Sequence, residues 1–453
     1  MATDWKAVFN ARALPNMLAP ETLCDVFAHL DFRNLVVASR VCRRWRNVAL
    51  GDASLWTNIS IVQRTMPKHE FLSQILARTK GALVDVAIEF RHGERPMLLE
   101  KCITAHMPHI RRLKLVANSQ HFQWHTVWPA LNVPAPELLS LTLDGVRAGY
   151  IPSELFRCSA PRLREVCLGG LVVGLFCSAF RTVQILSGTF ALEDHSAVQV
   201  FPSLTRLVYP LPDYPSLPPL TAFVGQIHTF EFGSAGSALK ADMRHRLTVD
   251  IAQAIPRIVA INASTEQLRF LLITFGQPSS LDISLDPGTK RLDMILQRGQ
   301  RELRLLSLSL QSAGKLIAEF PILDSLGTAS FSEFAVPPFG PSTVLVAPDL
   351  HTIVVRVSTR RVSAGRASVL TADESLSGSM LRTSGLYKLI LLADARDGYL
   401  RVVETTAVET FLSIRLGIGH LDELVLDGVV LDRGTATVAT MVKRIIALPA
   451  SEA

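Results

Sequence analysis

Residues 18–56 read LAPETLCDVFAHLDFRNLVVASRVCRRWRNVALGDASLW, a compact block of apolar residues at helical spacing. Pro20 opens a helix in which Leu23, Val26, Phe27 and Leu30 fall at i, i+3, i+4 and i+7 and share one face. Glu21 stands in its first turn, where the helix dipole favours an acid. Asp31 and Asn34 interrupt the pattern. A second short helix carries Leu35, Ala38 and Val41, and a third stacks Val41, Trp45, Val48 and Ala49 on one side. Three short helices in about 40 residues bury too little apolar surface to stand alone. An external partner is expected to cover them.

Beyond Trp56 a phrase recurs, an apolar residue followed three positions later by a second and two later by a third. It stands at Ile110-Leu113-Leu115, Leu138-Leu141-Leu143, Leu163-Val166-Leu168, Ile227-Phe230-Phe232, Leu303-Leu306-Leu308, Leu350-Ile353-Val355, Leu386-Leu389-Leu391 and Leu421-Leu424-Leu426, with weaker copies at Leu204-Leu207 and around Leu281-Ile283-Leu285. Neighbouring copies commonly lie about 20 to 28 residues apart, the period of leucine-rich repeats. The last two apolar positions of each phrase alternate, so both side chains lie on one face of a short strand, and the first enters the same core from the turn. Segments of helical period lie between, at Glu70 to Arg78, Met97 to His106 and Leu292 to Gln297. Each unit leaves its apolar face open until a neighbour stacks on it, which favours a curved α/β solenoid. Pro136, Pro161, Pro202 and Pro348 begin phrases, which suits a loop entering a strand with no ladder donor required.

The N-terminal block resembles an F-box, the adaptor-binding module of SCF-type ubiquitin ligases. That family's pattern runs Leu-Pro-x-Glu-Ile-Leu, then x-x-Ile-Phe, two further leucines and Val-Cys-Arg-x-Trp. Leu18, Glu21, Leu23, Phe27, Leu30, Leu35, Val41, Cys42, Arg43 and Trp45 match it in order and spacing. Ala19 stands where the family has proline, with the proline displaced to Pro20, and Thr22 replaces an aliphatic residue. The repeat region is similar to the irregular leucine-rich C-terminal regions of F-box proteins, especially those of mushroom-forming fungi. It departs from regular repeats: of the positions where an asparagine should follow the strand, Asn118 has one, whereas Val146, Leu171 and Val429 occupy the equivalents.

The fold expected from both readings is α/β. Residues 1–62 hold a three-helix F-box with an N-terminal extension. Residues 63–447 form an irregular leucine-rich-repeat solenoid, a curved parallel sheet with helices outside, and residues 448–453 a short tail. The resemblance implies a substrate-recognition subunit, without catalysis or cofactor, that binds a Skp-family adaptor, through it a cullin, and a substrate protein by its repeats. Leu18, Pro20, Glu21, Leu23, Val26, Phe27, Leu30, Leu35, Val41, Cys42 and Trp45 then belong to the F-box core or its adaptor contact, two roles that spacing does not divide. Truncating Leu23 or Phe27 is expected to weaken adaptor binding by ~1 to 3 kcal/mol. The alternative is a repeat scaffold for protein–protein interaction outside any ligase.

Composition narrows the remaining classes. Over 453 residues the chain is 48% hydrophobic and 19% charged, with mean hydropathy +0.28, values of a packed protein rather than a disordered one. Its start, Met1 to Lys6, is not a secretory signal, and the uncharged run Val166 to Phe180 falls short of the ~20 residues of a membrane span. An intracellular location, cytoplasmic or nuclear, is expected. The six cysteines lack the close pairs of zinc sites and read as buried reduced thiols. A net charge of +6 is mild for this length, and Arg40, Arg43, Arg44 and Arg46 read as a solvated helix edge, so nucleic acid is not indicated.

Catalytic grammar is sparse. The chain has no phosphate-binding P-loop motif, no nucleophile elbow and no His-Glu-x-x-His. Gly417-Ile418-Gly419 reads as a turn. His121 and His125, beside Trp124 and Trp128, have metal-compatible spacing but no acid or cysteine within that stretch, and read as surface histidines of an aromatic loop. Asp422-Glu423 lies beside a strand with no evident partner. Two Pro-rich stretches, Pro210 to Pro219 and Pro337 to Pro348, read as loops leaving the solenoid.

Overall fold

A computed structural model describes residues 17–62, 69–90, 97–174, 177–192, 197–210, 220–233, 247–286, 291–320, 324–332, 344–357, 380–383, 385–393, 401–416, 418–432 and 438–448, with residues 289 and 322 besides. It is mixed α/β: a helical N-terminal region followed by a long, mainly parallel sheet. The chain divides into two compact units, residues 1–210 with 214–227, and residues 211–213 with 228–453.

The first unit opens with helices α1 (Pro20–Ala28), α2 (Phe32–Val41) and α3 (Arg43–Gly51). Strands follow at β1 (Asn58–Val62), β2 (Val84–Phe90), β3 (Ile110–Ala117), β4 (Ser140–Ile151), β5 (Glu165–Val173), β6 (Ile185–Leu192) and β7 (Arg206–Pro210). Each pairs parallel with the next in chain order. The register lines up Ile59, Val86, Leu113, Leu141, Val166, Leu186 and Leu207 as one column across the sheet, all buried. Ile61, Ile88, Leu115, Leu143 and Leu168 form a second, which ends at Gly188. The two strand positions of the phrase are thus the two columns of the core. Its first residue, as in Ile110, Leu138, Leu163 and Leu204, is buried in the turn below.

The prolines explain that turn. Leu138 N–H donates to Ala135 O (3.3 Å), Leu163 to Ala160 O (3.1 Å), Leu204 to Phe201 O (3.2 Å) and Leu350 to Ala347 O (3.3 Å). Proline is the second residue of each turn, where its fixed φ suits the geometry and its missing donor costs nothing. Val183 closes the same turn on Phe180 O (3.1 Å) without proline. The strand after it, β6, lacks the full phrase because Gly188 stands where the last apolar residue would be. Gly188 has φ +107°, and a Cβ there would lie 2.0 Å from Leu168 O.

Helices do not accompany every strand. α4 (His69–Arg78) joins β1 to β2 and α5 (Met97–His106) joins β2 to β3, as their periodicity predicts. Farther along, the connections are single turns such as Leu155–Cys158, Ser178–Phe180 and Ala197–Val200. Only 11 residues separate β5 from β6, too few for a helix with two reversals. Phe156, Phe180, Phe201 and Phe223 fill the layer instead, all fully buried, with Phe180 and Phe201 stacked at 5.4 Å.

In the second unit, strands β8 (Thr229–Gly233), β9 (Arg257–Ile261), β10 (Ser280–Asp286), β11 (Arg291–Arg298), β12 (Arg301–Leu308), β13 (Thr328–Ser332), β14 (Thr352–Val357), β15 (Lys388–Ala393), β16 (Leu421–Asp427) and β17 (Val442–Leu448) pair in a different order. β8 pairs with β9, β9 with β12, then β12, β11 and β10 run as an antiparallel meander. β10 resumes parallel pairing with β13, and β14 to β17 follow in chain order. Helices α6 (Val249–Ala254), α7 (Thr265–Phe275) and α8 (Leu310–Glu319) lie between strands.

The meander overturns two readings. Leu292 to Gln297 is strand β11, not a helix: Leu292, Met294 and Leu296 alternate inward and are buried, a period of two that a short apolar run hides. In β12 the buried residues are Leu303, Leu305 and Leu308 rather than Leu306. Ser307 has φ +58° at a register shift against β11, and this bulge moves Leu308 back onto the core face.

Other expectations resolve locally. Asp422 and Glu423 lie within β16 and have partners: Lys443 at 2.5 Å from Asp422, and Lys388 (3.5 Å) and Arg444 (3.7 Å) beside Glu423. The cysteines are free thiols, but Cys102 and Cys177 alone are fully buried; Cys24, Cys42 and Cys167 are half-buried and Cys158 is exposed. Burial pushes the Cys177 thiol up to about 12. Asn118 builds no turn ladder; its Nδ2 donates to Glu89 Oε1 at 2.6 Å on the surface. Gly417, residues 449–453 and the Pro-rich stretches between 211 and 219 and between 337 and 343 lie outside the described residues.

Candidate functional site

The helical N-terminal block has an inside and an outside, and the structure sorts its residues between them. Leu23 and Phe27, one turn apart on α1, are fully buried, as are Leu35 and Ala38 on α2 and Ala49 on α3. Trp45 is half-buried, its ring edge-on to Phe27 at 5.3 Å. Leu30 and Cys42 are half-buried. Cys42 also starts α3, its Sγ accepting from Trp45 N–H at 3.5 Å. Asp31, whose place looked like an interruption, caps α2: its carboxylate accepts from Asn34 N–H at 2.7 Å and from Asn34 Nδ2 at 3.2 Å.

The remaining residues face outward. Pro20 and Glu21 are exposed, and so are Leu18, Val26 (47%) and Val41 (60%). Met17 (68%) and Val37 (57%) join them, two apolar residues that the motif does not single out. Val37 and Val41 are i and i+4 on α2 and share its outer face. Leu23 and Phe27 are therefore core residues, and truncating them acts through folding rather than through a contact surface. Two arginines of α3 tie back to the segments before it: Arg44 donates to Leu18 O, and Arg46 Nε to Ser39 O at 3.2 Å. Arg40 and Arg43 are exposed.

Part of the cover expected from outside comes from the chain itself. Trp56 is fully buried, donates through Nε1 to Ala49 O at 2.6 Å, meets Phe32 edge-on at 6.4 Å and lies under the Arg78 guanidinium at 5.0 Å. Phe32 also meets Phe71 of α4 at 6.5 Å. Burial lowers the Arg78 pKa from its ordinary value. Near the seam, Asp52 accepts from Ser54 N–H (2.9 Å) and Ser54 Oγ (2.7 Å), which pulls its pKa down, while burial and the Asp52 charge push the Cys24 thiol up. What is left uncovered includes Leu18 and Val26 at α1 and the outer face of α2 at Val37 and Val41.

Residues 20–62 match the F-box-like family. The match begins at the first residue of α1 and ends at the last of β1, so it includes the strand that starts the sheet. No curated protein matches the chain. The matched segment supports an F-box protein, with the apolar outer residues of the F-box-like region standing apart from its core.

No helix among the described residues is long and apolar enough to cross a membrane, and none of their His, Cys, Asp and Glu side chains group in threes that could hold a metal ion. His121 and His125 are exposed, His125 within a single turn of 3-10 helix at Trp124–Thr126 and His121 before it, so they do not share a helix face.

Proposed function

We propose that this chain is a substrate-recognition subunit of an SCF-type ubiquitin ligase. The F-box-like region binds a Skp-family adaptor, and through it a cullin. The parallel sheet behind it is an irregular leucine-rich-repeat array that binds a substrate protein. The observation that carries this reading is the exposed apolar set of an F-box-like region: Val37 and Val41, one turn apart on α2, and Val26 on α1 stay exposed beside a buried core of Leu23, Phe27 and Leu35. Apolar groups that lie together and exposed on one helix face, as Val37 and Val41 do, suit a protein contact. In this reading the chain does no bond chemistry. It raises the effective concentration of substrate lysines at the ubiquitin-transfer site. An intracellular place, cytoplasmic or nuclear, follows from that role, and the irregular repeats fit the mushroom-type fungal branch of the family.

Co-purification tests it. The full chain should capture a Skp-family adaptor together with cullin, and a chain lacking residues 18–56 should capture neither. Equal capture by both would overturn the proposal. Adaptor without cullin would favour a scaffold outside any ligase.

A further inference from the structure

The aromatic loop between β3 and β4 forms a cleft that the F-box-like region does not use. A cavity of about 520 Å³ is lined by Phe122, Gln123, Trp124, His125, Trp128 and Tyr150 among others, and a second of about 280 Å³ adjoins it, sharing His125, Trp128 and Pro152 and adding Asn132 and Glu154. Trp124 is buried and stacks on half-buried Trp128 with centroids 5.5 Å apart and planes 16° apart. Phe122 meets Trp124 edge-on at 5.2 Å and Phe90 at 4.9 Å. Tyr150, by contrast, is 67% exposed at the rim.

The walls are built at a cost. Trp124 fits only because β4 has glycine at 145 and 149, where a Cβ would lie 2.7 Å from the indole. Two residues after Glu154, Phe156, Arg157 and Cys158 take φ of 55°, 47° and 61°, a left-handed turn of non-glycine residues. Each such residue costs about 1–2 kcal/mol. The turn buries Leu155 and Phe156 and holds Glu154 at the cleft wall. Strained residues concentrate at functional sites.

The lining selects the ligand. Among the described lining residues the one formal charge is the Glu154 carboxylate, which accepts a 3.4 Å bond from Ser153 Oγ. Half-buried Trp128, backed by Trp124, and exposed Tyr150 carry rings with negative π-faces, and Gln123, His125 and Asn132 can bond a peptide backbone. Aromatic faces with one carboxylate receive a cation and repel an anion.

We propose that this cleft binds a lysine or arginine side chain in an extended segment of the substrate protein, its cation over Trp128 and Tyr150 and beside Glu154. The assignment of that segment to a substrate rests on the ligase reading; the cation site itself does not. The test is a tryptophan-fluorescence titration of the full chain, at about 0.15 M ionic strength, with the acetylated amides of triarginine, trilysine, trileucine and triglutamate. Triarginine and trilysine should give saturable changes, weakened about fivefold by Tyr150→Leu and by Glu154→Gln but preserved by Tyr150→Phe. Trileucine or triglutamate binding as well as the cationic peptides would overturn the proposal. So would cationic binding indifferent to both variants, or no saturable response to any peptide. Adaptor capture is scored separately. Cationic binding by a chain that captures no adaptor would sink the ligase reading alone, and adaptor capture by a chain with no cation binding would sink the cleft alone.

Discussion

At the residue scale, burial separates side chains that one motif groups together. Leu23 and Phe27 match the F-box pattern as well as Val41 does, yet the first two are buried and Val41 is 60% exposed. Leu23→Ala or Phe27→Ala should therefore lower stability by about 2–5 kcal/mol, read as a shift in the urea midpoint. Val37→Asp with Val41→Asp should cost about 1 kcal/mol of stability, less than either core truncation, since acids near the end of α2 oppose its dipole, and should abolish adaptor capture. Retained capture by the double variant would remove the outer face of α2 from the contact. Gly188 is the other decisive residue. Gly188→Ala places a methyl 2.0 Å from Leu168 O at φ +107°, so a loss of about 2 kcal/mol or more is expected. Spacing could not foretell these differences. It reports which residues share a helix face, and α1 buries only the part of its face nearest α3.

At the element scale, the strands were legible wherever two apolar residues alternated after a turn, because that alternation is the physical cause of the buried columns. It failed at β6, where Gly188 interrupts the second column, and at β11, where Leu292, Ile295 and Leu296 at i, i+3 and i+4 also satisfy a helical spacing. The phenylalanines at 156, 180, 201 and 223 recur every 21 to 24 residues and were readable as a connecting layer, but helical periodicity is the wrong template for a single turn. The cap of α2 was likewise readable, since an acid just before a helix accepts its free N–H groups. The end of α5 carries a pH-sensitive pair. His106 Nδ1 and His109 Nε2 lie 3.3 Å apart, half-buried, and burial lowers both pKa values from 6.5, that of His106 further through its neighbour's charge. The unfolded chain then binds protons that the folded chain resists, so stability is full above pH 6.5 and falls as the pH drops below it. The urea midpoint should decline between pH 7.5 and 5.5 in wild type, and His106→Gln with His109→Gln should flatten the decline. An unchanged slope would assign the acid sensitivity elsewhere.

At the scale of the whole molecule, the phrase that recurs from Ile110 to Leu426 does not reveal that two units share it, because both build the same buried columns from it. In the second unit, Ile353, Leu389 and Leu424 sit side by side across β14, β15 and β16 and are fully buried. Each unit thus holds a core of its own, the condition under which a chain departs from all-or-none unfolding. The sequence supplies the probe to see it. The four tryptophans among the described residues, at positions 45, 56, 124 and 128, belong to the first unit, whereas strands and helices of both contribute to far-ultraviolet circular dichroism. In a urea titration the fluorescence and dichroism curves should not superimpose. Leu389→Ala removes a fully buried side chain from the second unit at a cost of about 2–5 kcal/mol, and should shift the dichroism curve while leaving the fluorescence curve in place. Gly188→Ala should move the fluorescence curve. Superimposed curves in wild type, displaced together by either substitution, would mean that the two cores melt as one.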